Sequence, residues 1–116
     1  MKKWKWNDVE LDIRMSDVSF QEKYENAFKE MEQTELTLQK TGKLSELTKG
    51  YCQMFYDFFD AVYGKGTSGK LFEGRMDMEE VNEAYDSWLA LCKEDSEAVI
   101  KKQAARFKKY KVVNKK

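Results

Sequence analysis

The most apolar stretch of the chain runs from residue 51 to residue 63, where apolar side chains recur at helical spacing. A helix with one apolar stripe packs on a core, whereas a helix with a broad apolar face lies inside one. The pattern therefore predicts a central helix over residues 43–63, with the other elements packed around it. Its two stripes consist of Leu44, Leu47, Tyr51, Met54, Phe55, Phe58 and Val62, and of Cys52, Tyr56, Phe59 and Tyr63.

Two short segments within the first 13 residues alternate between apolar and polar positions, which is the pattern of β-strands. Residues 3–6 and 9–13 alternate on either side of Asn7-Asp8, a dipeptide suited to a tight turn. An isolated hairpin is only marginally stable, so we expect this one to dock on the helices. The side chains predicted to share its buried face are Trp4, Trp6, Val9, Leu11 and Ile13.

Helical periodicity also predicts a helix over residues 20–40. Ser19 and Glu22 match a capping box at its start, and Thr41-Gly42 is suited to its end. Inside the central helix, Gly50 indicates either a close helix crossing or a break into two pieces. The glycine-rich residues 64–69 read as a loop, followed by a short turn at residues 71–74 that plugs a gap between helices.

Two more helices are predicted in the C-terminal third of the chain. One spans residues 78–93 and begins after Asp77, which matches an N-cap with an acidic residue three positions later. The other spans residues 96–111, because Asp95-Ser96 can interrupt or cap a helix. The last residues, 112–116, form a basic tail that we expect to fray.

These elements predict a mainly α protein, a small bundle of about four helices with a short N-terminal β-hairpin. A length of 116 residues indicates one domain, with the hairpin in residues 1–13 and the helical body in residues 19–111. Such a domain can bury a core without disulfides or metals. Cys52 and Cys92 fall on apolar helix faces, so they are predicted to be reduced core residues. No signal peptide or membrane span is recognisable, so a cytoplasmic protein is expected.

Charge is distributed unevenly along the chain. The totals balance at 21 basic and 21 acidic residues, but residues 101–116 hold eight cations and no acid. Residues 1–100 therefore hold 13 cations and 21 acids, a net charge of −8. An acidic body with a basic end indicates a partner, or a self-contact, of opposite sign.

The residues present offer little catalytic chemistry. The absence of histidine removes the commonest general base and every arrangement built on it. Asp57 and Asp60 lie in the most apolar helix. They either form a paired-carboxylate site or, more simply, both occupy the narrow edge of the helix that faces solvent. The glycine-rich loop is not a phosphate loop, because Lys70 precedes Leu71 rather than Ser or Thr. We expect no enzyme activity, no cofactor and no metal.

Three stretches together resemble a known family. They are VELDI followed by FQEKYENAF (residues 9–13 and 20–28), FYDFFDAVYGKG (residues 55–66), and LFEG before an acidic-capped helix (residues 71–91). In this order they resemble the tail assembly chaperones of long-tailed phages and prophages of Gram-positive bacteria. The resemblance covers most of residues 9–91 and does not require the basic end.

The resemblance implies a binding protein that keeps the tape measure protein soluble while tail tube subunits polymerise around it, with the tail tube protein as a second candidate partner. It also implies absence from the finished virion. Exposed apolar helix faces suit this role and favour homo-oligomers. The residues assigned to partner binding are Trp4, Trp6, Leu36, Leu38, Phe72, Lys101, Lys102, Arg106, Lys108 and Lys109.

Two alternative functions remain open. The basic C-terminal helix, with Phe107 and Tyr110 among its cations, could bind nucleic acid by phosphate contacts and base stacking. Against this, the acidic body would repel the same backbone. A structural head–tail connector is the other alternative, and it differs from a chaperone in being present in mature particles.

Overall fold

A computed structural model describes residues 1–38 and 42–114 of the chain. Its elements are β1 (Lys2–Trp6), β2 (Val9–Ile13), α1 (Val18–Thr37), α2 (Leu44–Tyr63), α3 (Thr67–Phe72) and α4 (Met78–Asn114). The strands form a two-stranded antiparallel sheet, and α1 packs mainly on α2. The protein is thus mainly α with a short N-terminal β-hairpin, as the sequence predicted.

The hairpin docks on the helices through its apolar face. Strand β1 pairs with β2 in the register Trp4 with Leu11 and Trp6 with Val9, and Asn7 turns the chain with a φ of 54°. The Asn7 side chain donates a hydrogen bond of 2.7 Å to the carbonyl oxygen of Leu71, which ties the turn to α3. The prediction of a shared apolar face is confirmed, because all five of its side chains are buried or packed against the core.

Helix α2 occupies the centre of the molecule, as its two stripes predicted. Its buried residues include Phe58 and Phe59, whose rings lie 5.3 and 5.9 Å from the ring of Trp88 on α4. Trp88 is fully buried and also lies 5.7 Å from the ring of Tyr24 on α1. This aromatic cluster therefore joins the three long helices. Leu44 is the exception in the predicted stripe, because it is 76% exposed at the start of α2.

Gly50 marks a close approach rather than a break. Helix α2 is continuous through it, and a Cβ atom added there would lie 2.8 Å from Cδ2 of Leu38. Of the two interpretations of Gly50, the close crossing is confirmed. The predicted end of the first helix at residue 40 and its stop at Thr41 lie outside the described residues. Helix α1 itself runs from Val18 to Thr37.

The predicted capping box at Ser19 is wrong. The N-cap of α1 is Asp17, whose carboxylate accepts a hydrogen bond from the backbone N–H of Ser19. The helix begins at Val18, so the N–H of Ser19 is among its unpaired first-turn donors, and the Asp17 carboxylate accepts from it. The second predicted cap is confirmed, because Asp77 accepts from the N–H groups of Glu79 and Glu80 at the start of α4.

The glycine-rich region is only partly a loop. Gly64 ends α2 with a φ of 111°, and Gly66, with a φ of 94°, precedes α3. The backbone N–H of Ser68 donates to the Asp60 carboxylate at 2.8 Å, which helps the short helix begin. Prediction of an unbroken loop over residues 64–69, and of a turn beginning at residue 71, was therefore wrong. Leu71 is nevertheless fully buried, as a gap-filling residue should be.

The two predicted C-terminal helices are one continuous helix. Helix α4 spans Met78–Asn114, about 55 Å at 1.5 Å per residue, and its sequence holds neither proline nor glycine. The predicted interruption at Asp95 fails because this side chain bonds elsewhere. Its carboxylate accepts from the backbone N–H of Met15 at 2.9 Å rather than from its own helix. The helix continues past the predicted end at residue 111, and residues 115–116 of the predicted frayed tail lie outside the described residues.

Candidate partner-binding surface

Two residues assigned to partner binding from the sequence belong to the core. Trp4 is 2% exposed, stacks on Phe59 at 5.3 Å and donates from Nε1 to Oγ of Ser87 at 2.9 Å. Phe72 is fully buried and stacks on Tyr56 at 5.3 Å. Neither side chain has surface to offer a partner, so the assignment of both is corrected to a structural role.

Trp6 is half-buried and fixed by a polar network. Its Nε1 donates to the Glu80 carboxylate at 3.2 Å, and Asn7 donates to the same group. Arg75 donates two hydrogen bonds of 3.0 Å to Glu80, and these hold the pKa of the Glu80 carboxyl below its usual value. This network positions the hairpin against the start of α4, so Trp6 is mainly structural as well.

The two leucines assigned to partner binding differ from each other. Leu38 is half-buried against Gly50, whereas Leu36 is 86% exposed near the end of α1. Leu36 therefore remains a candidate contact, although it lies apart from the basic residues of α4.

The C-terminal part of α4 projects from the body, and we call its residues 99–110 the arm. Every residue from Ile100 to Tyr110 is exposed. The exposed fractions of its large apolar side chains are 66% for Ile100, 57% for Phe107 and 48% for Tyr110. The molecule accordingly measures 70 × 31 × 21 Å. The five predicted cations lie on this arm and all are exposed: Lys101, Lys102, Arg106, Lys108 and Lys109.

Helical geometry sorts the side chains of the arm into faces. Successive residues turn by about 100°, so Ile100 and Phe107, seven residues apart, lie on one line along the helix. Lys101 and Lys108 have the same spacing and lie on one side of that line, about 80–100° around the helix. Lys102 and Lys109 lie roughly opposite to it. The arm is thus an amphipathic helix with an apolar line, cations beside that line, and further cations on the opposite face.

A shallow groove runs along α1 on the surface of the body. One part, of about 420 Å³, is lined by Tyr24 and Phe28 with Glu25, Lys29 and Glu32 around them. A second part shares Tyr24 and Glu25 and continues to Val99 and Ile100 at the base of the arm. We call this continuous feature the α1 groove. Sequence pattern alone did not indicate this groove, although Glu25 and Glu32 lie beside Tyr24 and Phe28 at helical spacing.

A cleft of about 290 Å³ lies at the base of the arm and contains one buried acid. Asp95 is 3% exposed, and its carboxylate lies 3.1 Å from the Met1 ammonium and 2.9 Å from the Met15 N–H. Lys102 and Arg106 line the outer part of the cleft. The Asp95 carboxylate is already paired, and through Met1 and Met15 it links both ends of the hairpin to α4.

Burial raises the pKa of the cysteine thiols in the core, which disfavours the thiolate at neutral pH. Cys52 and Cys92 are both free and buried, as predicted. Burial raises the pKa of the Cys92 thiol to about 12, with the nearby Asp95 adding to the effect. Burial likewise raises the pKa of Tyr85 to about 12. Thiolate is the reactive form of cysteine, so Cys92 is a packing residue.

The two carboxylates of α2 considered as a paired site, Asp57 and Asp60, accept hydrogen bonds from different partners. Asp57 is exposed and accepts a hydrogen bond from Gln53 at 2.8 Å, whereas Asp60 accepts from Ser68. Across residues 1–38 and 42–114, no cluster of three or more His, Cys, Asp or Glu side chains could hold a metal ion. None of the helices that the structure describes combines the length and apolarity needed to cross a membrane.

A match to one sequence family covers both the core and the arm. A model of DUF6673, a family of unknown function, matches residues 7–116. The chain belongs to this family. No curated protein and no solved structure matches the chain significantly. Since the DUF6673 match extends to the last residue, the arm is part of the family's domain rather than an appendage to it.

Proposed function

We propose that this DUF6673 protein is a non-enzymatic tail assembly chaperone that binds the tape measure protein and keeps it soluble during phage tail assembly. The observation that carries the proposal is the arm, an amphipathic helix whose apolar line no described residue covers. The resemblance of residues 9–91 to tail assembly chaperones supplies the identity of the partner. The proposal places the protein in the cytoplasm of the bacterial host and outside the mature virion.

The binding step follows from the chemistry of the arm. An amphipathic helix binds another by laying its apolar line against the partner's, with anchors at spacings of three, four and seven residues. Ile100 and Phe107 supply two anchors seven residues apart. The flanking cations favour a partner helix with acidic residues beside its own apolar stripe. The aromatic core holds the base of α4 rigid, so the arm is presented in helical form and little ordering entropy is lost on binding.

Co-expression with a tape measure protein tests this proposal. We expect the wild-type chain to recover a soluble complex and the double variant Ile100→Ser with Phe107→Ser to lose it. The matched control replaces two exposed apolar residues outside the arm, Val18→Ser with Leu44→Ser, which are 66% and 76% exposed. An insoluble tape measure protein in the presence of wild-type chain, or equal loss in the control variant, would count against the proposal.

The arm also supports nucleic-acid binding as a second candidate function. Its five exposed cations surround Phe107 and Tyr110, and such a surface can contact phosphates and stack bases. Binding should then weaken steeply with salt and fall when Lys102 and Lys109 are replaced by glutamate. No mobility shift with single- or double-stranded DNA at low salt would remove this candidate. A head–tail connector, the remaining alternative, would be found in purified mature particles.

A further inference from the structure

The arm and the α1 groove are complementary surfaces on one molecule. The arm offers an apolar line with cations beside it. The groove offers Tyr24 and Phe28 with two glutamates beside them, Glu25 and Glu32, and one lysine, Lys29, between the glutamates. We propose that two copies of this chain form a reciprocal dimer, in which the arm of each copy lies in the α1 groove of the other. The occupant of each groove is thus a second copy of this protein.

Beyond Ile100, the arm cannot reach the groove of its own chain. Aromatic contacts between Tyr24 and Trp88, and between Phe28 and Tyr85, place the groove beside the body portion of α4. The arm leaves that region along the axis of the same unbroken helix. Folding back would require breaking α4 and losing several of its backbone hydrogen bonds. Docking on another molecule requires no such change.

The position of the groove favours a two-fold arrangement. The groove reaches Val99 and Ile100, so it opens directly onto the apolar line of its own arm. In such a dimer the two α4 helices would run antiparallel, with the two-fold axis near Ile100. Phe107 lies about 10 Å further along the helix, so it would extend past the axis onto the other copy. At that distance Phe107 would meet Tyr24 and Phe28 of the other copy. A two-fold axis makes both contacts identical, which is the common form of homodimer interfaces.

Charge supports the same pairing. Residues 101–116 hold eight cations and no acid, and residues 1–100 have a net charge of −8. Within the groove, Glu25 and Glu32 are exposed, and neither is engaged in a side-chain bond within the described structure. Lys101 and Lys108 lie beside the apolar line and are seven residues apart. Glu25 and Glu32 in the groove are also seven residues apart. Complementary charge at the rim of an apolar contact fixes register and partner choice.

The dimer would form whether or not the protein is a tail assembly chaperone. It does bear on that function, because an arm held in a groove is covered until a partner helix displaces it. Arms in the dimer would be protected from non-specific association, which exposed apolar patches otherwise promote.

Charge reversal in matched pairs of variants tests the dimer. The arm variant is Lys101→Glu with Lys108→Glu, and the groove variant is Glu25→Lys with Glu32→Lys. The control is Lys102→Glu with Lys109→Glu, which changes the arm's charge equally on its opposite face. Molar mass by sedimentation equilibrium at low and high salt is the measurement, and circular dichroism checks that each variant remains helical.

We expect the wild-type chain to dimerise at low salt and to dissociate as salt is raised. The arm variant and the groove variant should each dimerise about tenfold more weakly or worse, whereas the control should stay close to wild type. Mixing the arm and groove variants should restore a dimer, because the heterodimer alone pairs opposite charges at both contacts. A monomeric wild type, a control as weak as the arm variant, or a mixture that stays monomeric would overturn the proposal.

Discussion

The body portion and the arm of α4 belong to one helix with one regular backbone, yet they have opposite environments. In the body, Val81, Trp88 and Cys92 are fully buried, whereas in the arm Ile100 and Phe107 are more than half exposed. The line of apolar residues also shifts around the helix, since Phe107 is rotated by about 100° from Trp88. The arm therefore does not extend the core face of the body. Its apolar line points to a different contact.

The difference shows that an amphipathic pattern predicts which side chains share an apolar face of a helix, but not which part of the protein or which partner covers that face. The face of the body is covered by α1, α2 and the hairpin within the same chain. The apolar line of the arm has no such cover among the described residues, and the cations beside it are exposed. Substitutions in the two regions should consequently act on different quantities, folding in the body and association in the arm.

The largest effect is expected from Trp88→Ala. Trp88 is fully buried, contacts rings from α1 and α2, and donates from Nε1 to the Tyr63 hydroxyl at 2.9 Å. Removing such a side chain from a packed core lowers the free energy of unfolding by about 3–5 kcal/mol. Urea denaturation followed by circular dichroism would measure it. A loss below about 1 kcal/mol would contradict the central place given to the aromatic cluster.

A smaller loss is expected from Asp95→Ala, at the junction of body and arm. The Asp95 side chain is 4% exposed and accepts from the Met15 N–H, which would be left without a partner. An unsatisfied buried donor costs about 1–3 kcal/mol. The control is Asp95→Asn, which keeps an acceptor oxygen and should lose less. Equal losses would show that the charge of Asp95, rather than this hydrogen bond, stabilises the junction.

Glu80→Gln should show a pH-dependent effect of about 1–2 kcal/mol. Arg75, Trp6 and Asn7 hold the pKa of Glu80 below its ordinary value of 4.5. A lowered folded-state pKa contributes stability above the unfolded-state pKa, and this contribution is lost as pH falls through the folded-state value. The variant should therefore be less stable than wild type at pH 7, and the difference should shrink below about pH 4.5. A difference that is constant from pH 7 to pH 3 would contradict this assignment.

The smallest effect on stability is expected from Phe107→Ser in the arm. Its side chain is 57% exposed, and surface substitutions usually change the free energy of unfolding by less than about 0.5 kcal/mol. The same change should measurably weaken self-association, because Phe107 is an anchor of the proposed dimer. Melting temperature at low protein concentration and dimer dissociation by sedimentation separate the two effects. A strongly destabilised monomer would show that the arm packs on its own body.

Much of the fold was predictable from local pattern. The hairpin, the central helix and the Asp77 cap follow from period-two alternation, a broad apolar face and an acidic N-cap, all of which act within a few residues. The predicted break in α4 failed because the side chain of Asp95 could bond either nearby or far away. Asp95 looked like a helix interruption because its carboxylate can compete for local backbone donors. In the structure it accepts a hydrogen bond from the backbone N–H of Met15, which is 80 residues away in sequence.

The candidate surface was predictable only in part. The cations of the arm were identified from the sequence, because a run of like charge on a helix is usually exposed. Trp4 and Phe72 were not distinguishable from surface aromatics, since a large apolar residue suits a core and an interface equally well. The part of the α1 groove at the base of the arm was missed because it is formed by residues of α1 and α4 that only packing brings together.

The sequence by itself determined the mainly α architecture, the hairpin, the buried free cysteines and the separation of an acidic body from a basic end. Periodicity and charge are local properties of the chain, and they are sufficient for these features. Only the tertiary structure decided that α4 is unbroken, which aromatics are buried, and that a groove with aromatic and charged side chains of α1 lies beside the base of the arm. Those features depend on which distant groups satisfy each hydrogen bond and fill each gap, and spacing along the chain does not specify these.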